Sequence, residues 1–205
     1  MRRSIQNITN VKCVRWLRLL APYVAVGIFW VGFSHAWLAV LAYHLQIILW
    51  HRFGRWVRTR EQESRIARYV SLVCVLAGPV VYFLLPRIAL VAPAQWLAHY
   101  RLDGAAFVLM IPYFGIVHPM LEQYHWHRLR SETGWAHICF AGYHVMVLYG
   151  ILPLGWLMVC LGGLMAISWI WKQAGNTAGS RACCMLTHIL ADLGVILAVF
   201  WLIYM

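Results

Sequence analysis

Long apolar segments separated by short polar connections are the feature that most constrains this chain. A helix needs about 20 apolar residues to cross a bilayer. Only 11% of the residues are charged, whereas soluble domains carry about 25%. The sequence therefore predicts one all-α integral membrane domain over residues 1–205, a polytopic helix bundle. Its apolar segments are 19–50, 69–85, 105–124, 135–152, 154–171 and 183–204.

The number of membrane crossings depends on the first apolar segment, 19–50. It is about thirty residues long, and Ser34 and His35 interrupt it, so it is either one long tilted helix or a pair of short ones. With a pair, fifteen of the seventeen basic residues share one side of the membrane, and only Arg87 and Arg101 lie on the other. Basic residues favour the cytoplasmic side, which predicts about seven (six to eight) transmembrane helices and a cytoplasmic N-terminus. Residues 1–17 are expected to form a basic interfacial tail.

The net charge of +11 could indicate a nucleic-acid partner. Arginines that flank apolar segments more often report topology and contact with anionic lipid, so the expected partner is the lipid bilayer, with no nucleic acid. The six cysteines contain no C-x-x-C pair, which favours apolar packing over disulfides or metal binding.

Two acidic residues, Glu122 and Asp192, lie within apolar segments, and an ionisable group there is a functional-site hypothesis by default. His118, Glu122 and His125 follow helical spacing and share one face, with Gln123 and His127 on the neighbouring face. One interpretation is an interfacial helix end with Glu122 paired to an arginine. Another is a metal site with mixed nitrogen and oxygen ligands, although H-E-x-x-H and dense histidine boxes are absent from the sequence.

Two further polar clusters lie in later apolar segments. Phe140 and His144 are four residues apart in the middle of one segment, and His188 and Asp192 are four residues apart in the last. Either pair alone could simply join helices by hydrogen bonds. Three polar clusters on three helices of a small bundle make purely structural roles less probable, because burial of each cluster has a free-energy cost.

These residues, in this order, resemble the motifs of the CPBP superfamily, the CAAX-processing and bacteriocin-processing (Abi) glutamic-type intramembrane proteases. Residues 119–127, Pro-Met-Leu-Glu-Gln-Tyr-His-Trp-His, partly fit the first motif, P-x-x-E-E-x-x-F-R. Phe140 and His144 fit the second motif, and His188 and Asp192 fit the third. Residues 179–181, Gly-Ser-Arg, are similar to the Gly-Ser-Leu sequence before the last helix, and the resemblance covers a catalytic core at 104–200.

The resemblance implies an endopeptidase that hydrolyses a membrane-anchored peptide or protein tail, without a cofactor, in a bacterial or archaeal cytoplasmic membrane. Glu122 and His144 would hold and deprotonate a water. His188 would donate a hydrogen bond to the oxyanion, and Asp192 would fix the tautomer and orientation of His188. The supporting residues would be Gln123, His127, Phe140, His118 and His125.

The sequence departs from the family pattern at two positions. Gln123 replaces a second glutamate, and His127 stands where an arginine is expected, so His127 or Arg128 would have to replace it. A catalytically inactive binding or chaperone protein is therefore an alternative, and a metal-dependent membrane enzyme is a third. The sequence leaves the oligomeric state open.

The same topology predicts the depth of the site. Glu122 is six residues before Arg128 and His188 is seven after Arg181, which is about 10 Å along a helix in each case. We therefore expect a pocket in the inner half of the bilayer, with Glu132 on the cytoplasmic side and Asp103 outside.

Overall fold

The computed structural model describes residues 2–53, 65–175 and 178–205, and side chains over 13–50, 65–175 and 181–205. In these ranges the chain is helical with short turns and no strands, which confirms the all-α prediction. The α-helices are α1 (Arg2–Ala25), α2 (Ala36–Phe53), α3 (Arg65–Val70), α4 (Ala77–Ile88), α5 (Pro93–His99), α6 (Gly104–Pro112), α7 (His118–Glu132), α8 (Trp135–Leu148), α9 (Leu154–Ala174) and α10 (Ala178–Tyr204).

Three helical segments of different pitch join neighbouring α-helices. Val26–Gly32 is a π-helical extension of α1, Ser71–Leu76 is a 3₁₀ segment between α3 and α4, and Tyr113–Val117 is a π-helical turn between α6 and α7. Pro112 immediately precedes this last turn. Because proline has no N–H to donate, it loosens the helical ladder at that point.

Five continuous helical stretches are long and apolar enough to cross a membrane, as expected for an integral membrane protein. The five stretches are Cys13–Gly32, Arg65–Ile88, Gly104–Glu132, Leu154–Ala174 and Arg181–Tyr204. Ala36–Trp50 and Trp135–Leu148 are shorter apolar helices. The five long stretches therefore establish a membrane helix bundle among the described residues.

The apolar stretch 19–50 forms two helices rather than one. After the π-helical extension the chain turns at Ser34, whose φ of 48° lies in the left-handed region. The Ala36 amide then donates to the Tyr100 carbonyl as α2 begins, and α2 packs back against α1. The break predicted at Ser34 and His35 is therefore a helical hairpin. Residues 2–17, which belong to the predicted interfacial tail, are the first part of α1, which runs from Arg2 to Ala25.

Contacts between residues near the ends of the helices identify the two ends of the bundle. At the first, which we call the basic end, Glu132 pairs with Arg18 at 3.3 Å and with Arg128 at 3.0 Å. At the opposite, far end, the Ser34 hydroxyl lies 3.1 Å from the His99 ring, and the Leu90 amide donates to the Ile151 carbonyl.

A close glycine contact holds α4 against α10. A Cβ added at Gly78 would lie 2.7 Å from backbone atoms of Gly194, so only hydrogen fits there. In the π-helical turn, a Cβ at Gly115 would meet the Leu193 side chain at 2.7 Å. Small residues let membrane helices approach closely. The Gly115 contact places α10, which carries His188 and Asp192, beside the helical stretch that carries Glu122.

Candidate functional site

Glu122 lies at the centre of the bundle on α7, and its side chain is 0% exposed. Its Oε1 accepts a hydrogen bond from the Tyr43 hydroxyl of α2 at 2.8 Å. That hydroxyl oxygen in turn accepts from Nε1 of Trp126 at 2.7 Å. One carboxyl oxygen is thus held by a tyrosine that is itself fixed by a tryptophan one turn along α7.

The second carboxyl oxygen, Oε2, faces three imidazoles. The Nε2 atoms of His118, His188 and His144 lie 3.5, 3.6 and 4.0 Å from it. No hydrogen-bond partner of Oε2 occurs among the described residues. His118 comes from the preceding turn of α7, His144 from α8 and His188 from α10, so three helices converge on one oxygen atom. The structure thereby brings together Glu122, His144 and His188, as the sequence motifs predicted.

The orientation of His144 is set within its own helix. Its Nδ1 lies 2.7 Å from the Phe140 carbonyl oxygen, which can only accept, so Nδ1 carries the proton and donates. Nε2 of the neutral ring is then an acceptor, and it lies 3.1 Å from the Tyr143 hydroxyl. The Phe140 ring packs edge-on against His144 at 4.8 Å between centroids. His144 therefore presents a lone pair towards Oε2 of Glu122.

His188 also lies beside Asp192, and both Asp192 and Glu122 face the same nitrogen of its ring. Oδ2 of Asp192 lies 3.5 Å from Nε2 of His188, the same atom that faces Glu122. The His188 ring packs against Trp171 at 4.5 Å between centroids. Two carboxyl groups therefore flank one imidazole nitrogen, which favours a proton on Nε2 of His188.

Arg130 is part of the site, and the sequence analysis treated it only as a topology signal. It is 1% exposed; its Nη1 donates to Gln123 Oε1 and its Nε to the Ser168 hydroxyl, both at 2.8 Å. Its guanidinium lies over the rings of Phe140 and Trp171, 5.0 and 5.3 Å from their centroids. A buried arginine therefore lies one turn after position 127, where the resemblance led us to expect an arginine. The i, i+7 spacing of Gln123 and Arg130 was the signal that could have revealed it.

Two of the residues predicted to support the site lie outside it. Nε2 of His125 is 3.3 Å from the Arg18 carbonyl oxygen, towards α1. His127 lines a cleft of about 240 Å³ beside Arg181, which Gln123 and Trp171 also line. Arg128, the other substitute considered for the expected arginine, donates to Glu132 at 3.0 Å. We call Glu122, His118, His144 and His188 the Glu122 cluster. Of the predicted supporting set, His118 belongs to this cluster, Gln123 contacts Arg130, and Phe140 contacts both His144 and Arg130.

Tyr43 and His44 of α2 also belong to the site, and both were missed from sequence. His44 is 2% exposed, and its Nε2 lies 3.0 Å from Nδ1 of His118. The available signal was an adjacent tyrosine and histidine in the middle of the apolar helix Ala36–Phe53. Polar groups inside such a helix need partners.

Among the described residues, no group of three or more His, Cys, Asp and Glu side chains is arranged to hold a metal ion. Comparisons with protein-family models, with curated proteins and with solved structures found no match to this chain.

Proposed function

We propose that this chain is an intramembrane glutamic-type endopeptidase that hydrolyses a peptide bond in a membrane-anchored peptide or protein tail. The observation that carries the proposal is the convergence of three imidazole Nε2 atoms on Oε2 of Glu122, at 3.5 to 4.0 Å. A carboxyl group with an adjacent imidazole acceptor is what general-base activation of water requires.

The geometry supports a division of roles. A water that bridges Oε2 of Glu122 and Nε2 of His144 would lose a proton to Glu122 as its oxygen attacks the substrate carbonyl. Nε2–H of His188 would donate a hydrogen bond to the oxyanion that forms. The protonated Glu122 would then give that proton to the departing amine, so that the carboxylate is restored and the water is divided between the two products.

The exposed fractions of the site side chains support entry of the substrate from one edge of the Glu122 cluster. The His144 and Asp192 side chains are 24% and 18% exposed, whereas Glu122, His118 and His188 are at most 6% exposed. A substrate would therefore reach the carboxyl group past His144 and Asp192, between helices. This favours a substrate that is itself embedded in the membrane.

The proposal includes a topology. The five long helical stretches, together with Ala36–Trp50 and Trp135–Leu148, would form seven crossings, with the basic end and the N-terminus in the cytoplasm of a bacterial or archaeal cell. The concentration of arginine and lysine at that end supports this orientation. Glu122 lies ten residues before Glu132 on α7, about 15 Å along the helix, which agrees with a site in the inner half of the bilayer.

Quantitative mass spectrometry of membrane proteins and released peptides tests the activity. Cells that express the wild-type chain are compared with cells that express Glu122→Gln, His144→Ala or His188→Ala. We expect new peptide ends with the wild type only, and a loss of about 10²-fold or more for each variant. His99→Ala is the matched control, because it removes a histidine at the far end. Cleavage that survives all three site substitutions contradicts the proposal.

A second candidate is a binding or chaperone protein that uses the same pocket without hydrolysis. The hydrogen bond between Arg130 and Gln123 favours it, because it is made by an amide where the resembled family has a glutamate. In that case Gln123→Glu and His127→Arg should leave function unchanged. Purification of the wild type would then co-purify an intact membrane protein, equally well from Glu122→Gln cells.

A further inference from the structure

A row of hydrogen-bonding side chains leads from Glu122 into α2, away from the edge where the substrate would enter. Oε2 of Glu122 lies 3.5 Å from Nε2 of His118, and Nδ1 of His118 lies 3.0 Å from Nε2 of His44. Nδ1 of His44 is 2.7 Å from the Tyr113 hydroxyl. Both ring nitrogens of His44 therefore have a hydrogen-bonding partner, and Nε2 of His118 faces Oε2 of Glu122 at ion-pair distance. The proposed hydrolysis assigns no step to His44 or Tyr113.

The π-helical turn is what allows this row to form. In an α-helix, residues five apart point about 140° away from each other, so Tyr113 and His118 would face different neighbours. The π-helical turn Tyr113–Val117 closes its backbone over five residues, and this brings the two side chains to the same side. As a result, Tyr113 and His118 contact the two nitrogens of a single ring, His44.

We propose that His118, His44 and Tyr113 form a proton relay that connects Glu122 with the hydroxyl of the half-buried Tyr113. When Glu122 is protonated, it donates to Nε2 of His118. Nδ1–H of His118 then donates to His44, and Nδ1–H of His44 donates to Tyr113. Transfer of one proton along each bond leaves Glu122 ionised and both histidines neutral with the proton on Nε2, while Tyr113 passes its own proton to water. Reversal of these steps protonates Glu122.

The relay adds a proton route to the proposed hydrolysis, and its purpose depends on that proposed function. The proposed hydrolysis starts from ionised Glu122 and restores that state, so the relay acts when Glu122 is protonated before a cycle begins. A substrate bound at His144 and Asp192 would then cover the partly exposed edge of the cluster, and the relay would still let Glu122 lose this proton. His44 and His118 are 2% and 5% exposed, and Tyr113 is half-buried. The relay thus ends at a side chain that its described neighbours do not fully enclose.

Other ionisable groups surround the relay and enter any interpretation of its pH response. His118 is flanked by the Phe114 ring at 4.8 Å between centroids. Across Oε2 of Glu122, and on the helices packed around it, the ionisable neighbours are Tyr43, Arg130, His144, His188 and Asp192.

Solid-state NMR of the ¹⁵N-histidine-labelled protein in lipid bilayers tests the relay without a substrate. The two rings are assigned with His44→Gln and His118→Gln. We expect a through-hydrogen-bond ¹⁵N–¹⁵N coupling between His44 and His118. Between about pH 4 and about pH 10, a range that brackets ordinary carboxyl and imidazole titration, both neutral rings should move their proton from Nδ1 to Nε2 together. Glu122→Gln should abolish this switch.

Tyr113→Phe removes only the terminal hydroxyl and should suppress the switch in His44. Tyr23→Phe is the matched control, because its hydroxyl donates to the Cys139 carbonyl oxygen outside the relay, and it should leave the switch intact. A fixed tautomer of either ring over the whole range, or conversion of the rings to doubly protonated cations, overturns the relay. A tautomer switch without any peptide cleavage would instead retain the relay and remove the peptidase.

Discussion

At the scale of single residues, the Tyr43 hydroxyl has two contacts that matter for the proposed chemistry. It holds Oε1 of Glu122 and accepts from Trp126. Tyr43→Phe should therefore let the carboxyl group rotate, and we expect the cleavage rate to fall about 10- to 100-fold, equivalent to about 1.4–2.8 kcal/mol. The measurement is the rate of formation of the peptide end identified by mass spectrometry. Tyr23→Phe is the control, and an unchanged rate in Tyr43→Phe would remove the positioning role.

Arg130 gives a prediction about stability rather than rate. Arg130→Met leaves Oε1 of Gln123 buried without its donor, so we expect a loss of about 1–3 kcal/mol, the usual cost of an unsatisfied buried acceptor. Gln123→Leu combined with Arg130→Met should recover part of that loss, because both partners are then apolar. Unfolding midpoints in detergent measure both effects. Arg87→Met, which changes an exposed arginine at the far end, should change the midpoint little; equal losses in both single arginine variants would contradict the assigned contacts.

At the scale of helices, the contact between α4 and α10 is asymmetric, and this makes it testable. A Cβ at Gly78 would lie 2.7 Å from the Gly194 backbone, whereas a Cβ at Gly194 would lie 3.4 Å from Gly78. Gly78→Ala should therefore separate the helices and lower the unfolding midpoint by several degrees, since overpacking costs about 1–3 kcal/mol. Gly194→Ala should have a much smaller effect, and Gly162→Ala none, because no atom lies within 4 Å of its added Cβ. Equal losses at 78 and 194 would contradict this packing.

The hydropathy of the sequence predicted where helices lie along the chain. It gave much less information on which face of each helix is turned towards its neighbours. The break at Ser34 and His35 follows from polar residues inside an apolar run, and the structure has a turn there. A helix that is apolar on all sides gives little information on which face meets its neighbours. For that reason Tyr43 and His44 were not connected to Glu122 from sequence. The π-helical turn at 113–117 has no sequence signature except the proline before it.

At the scale of the whole molecule, two glycines at opposite ends of the bundle test the orientation. Gly134 and Gly155 are exposed, with no atom within 4 Å of an added Cβ. They are better positions than Glu132, which pairs with two arginines. We expect Gly134→Cys to react with a membrane-impermeant thiol reagent from the cytoplasm only, and Gly155→Cys from outside only.

Both cysteine variants are made in a chain in which serine replaces the four exposed or half-buried cysteines. The same serine-substituted chain, without either glycine substitution, is the control. The four positions are Cys13, Cys74, Cys160 and Cys183. The opposite labelling pattern would invert the topology and move the Glu122 cluster to the outer half of the bilayer.

The site as a whole was predictable in its centre and not at its periphery. Glu122, His144 and His188 could be grouped because the order of the motifs resembles that of a known family, and Glu122 and His188 were also expected at similar depth. Arg130 was misinterpreted, since positive charge near a helix end usually marks the membrane boundary. Its burial depends on two aromatic rings and on Ser168, which come from helices later in the chain. Contacts of that kind depend on tertiary packing, which a single sequence does not display.

Because the π-helical turn joins α6 to α7, the stability of the protein should depend more on the number of residues in this stretch than on which residues are exposed in the turn. Phe107, before the turn, is 1% exposed and packs on rings of α10, while Glu122, after it, is 0% exposed. Ile116 is 42% exposed, so Ile116→Ala should change stability by no more than about 0.5 kcal/mol. Deletion of Ile116 would instead rotate one half of the helix by about 100° relative to the other. The unfolding midpoint should then fall far more than for the alanine variant, because Phe107 and Glu122 can no longer both keep their neighbours.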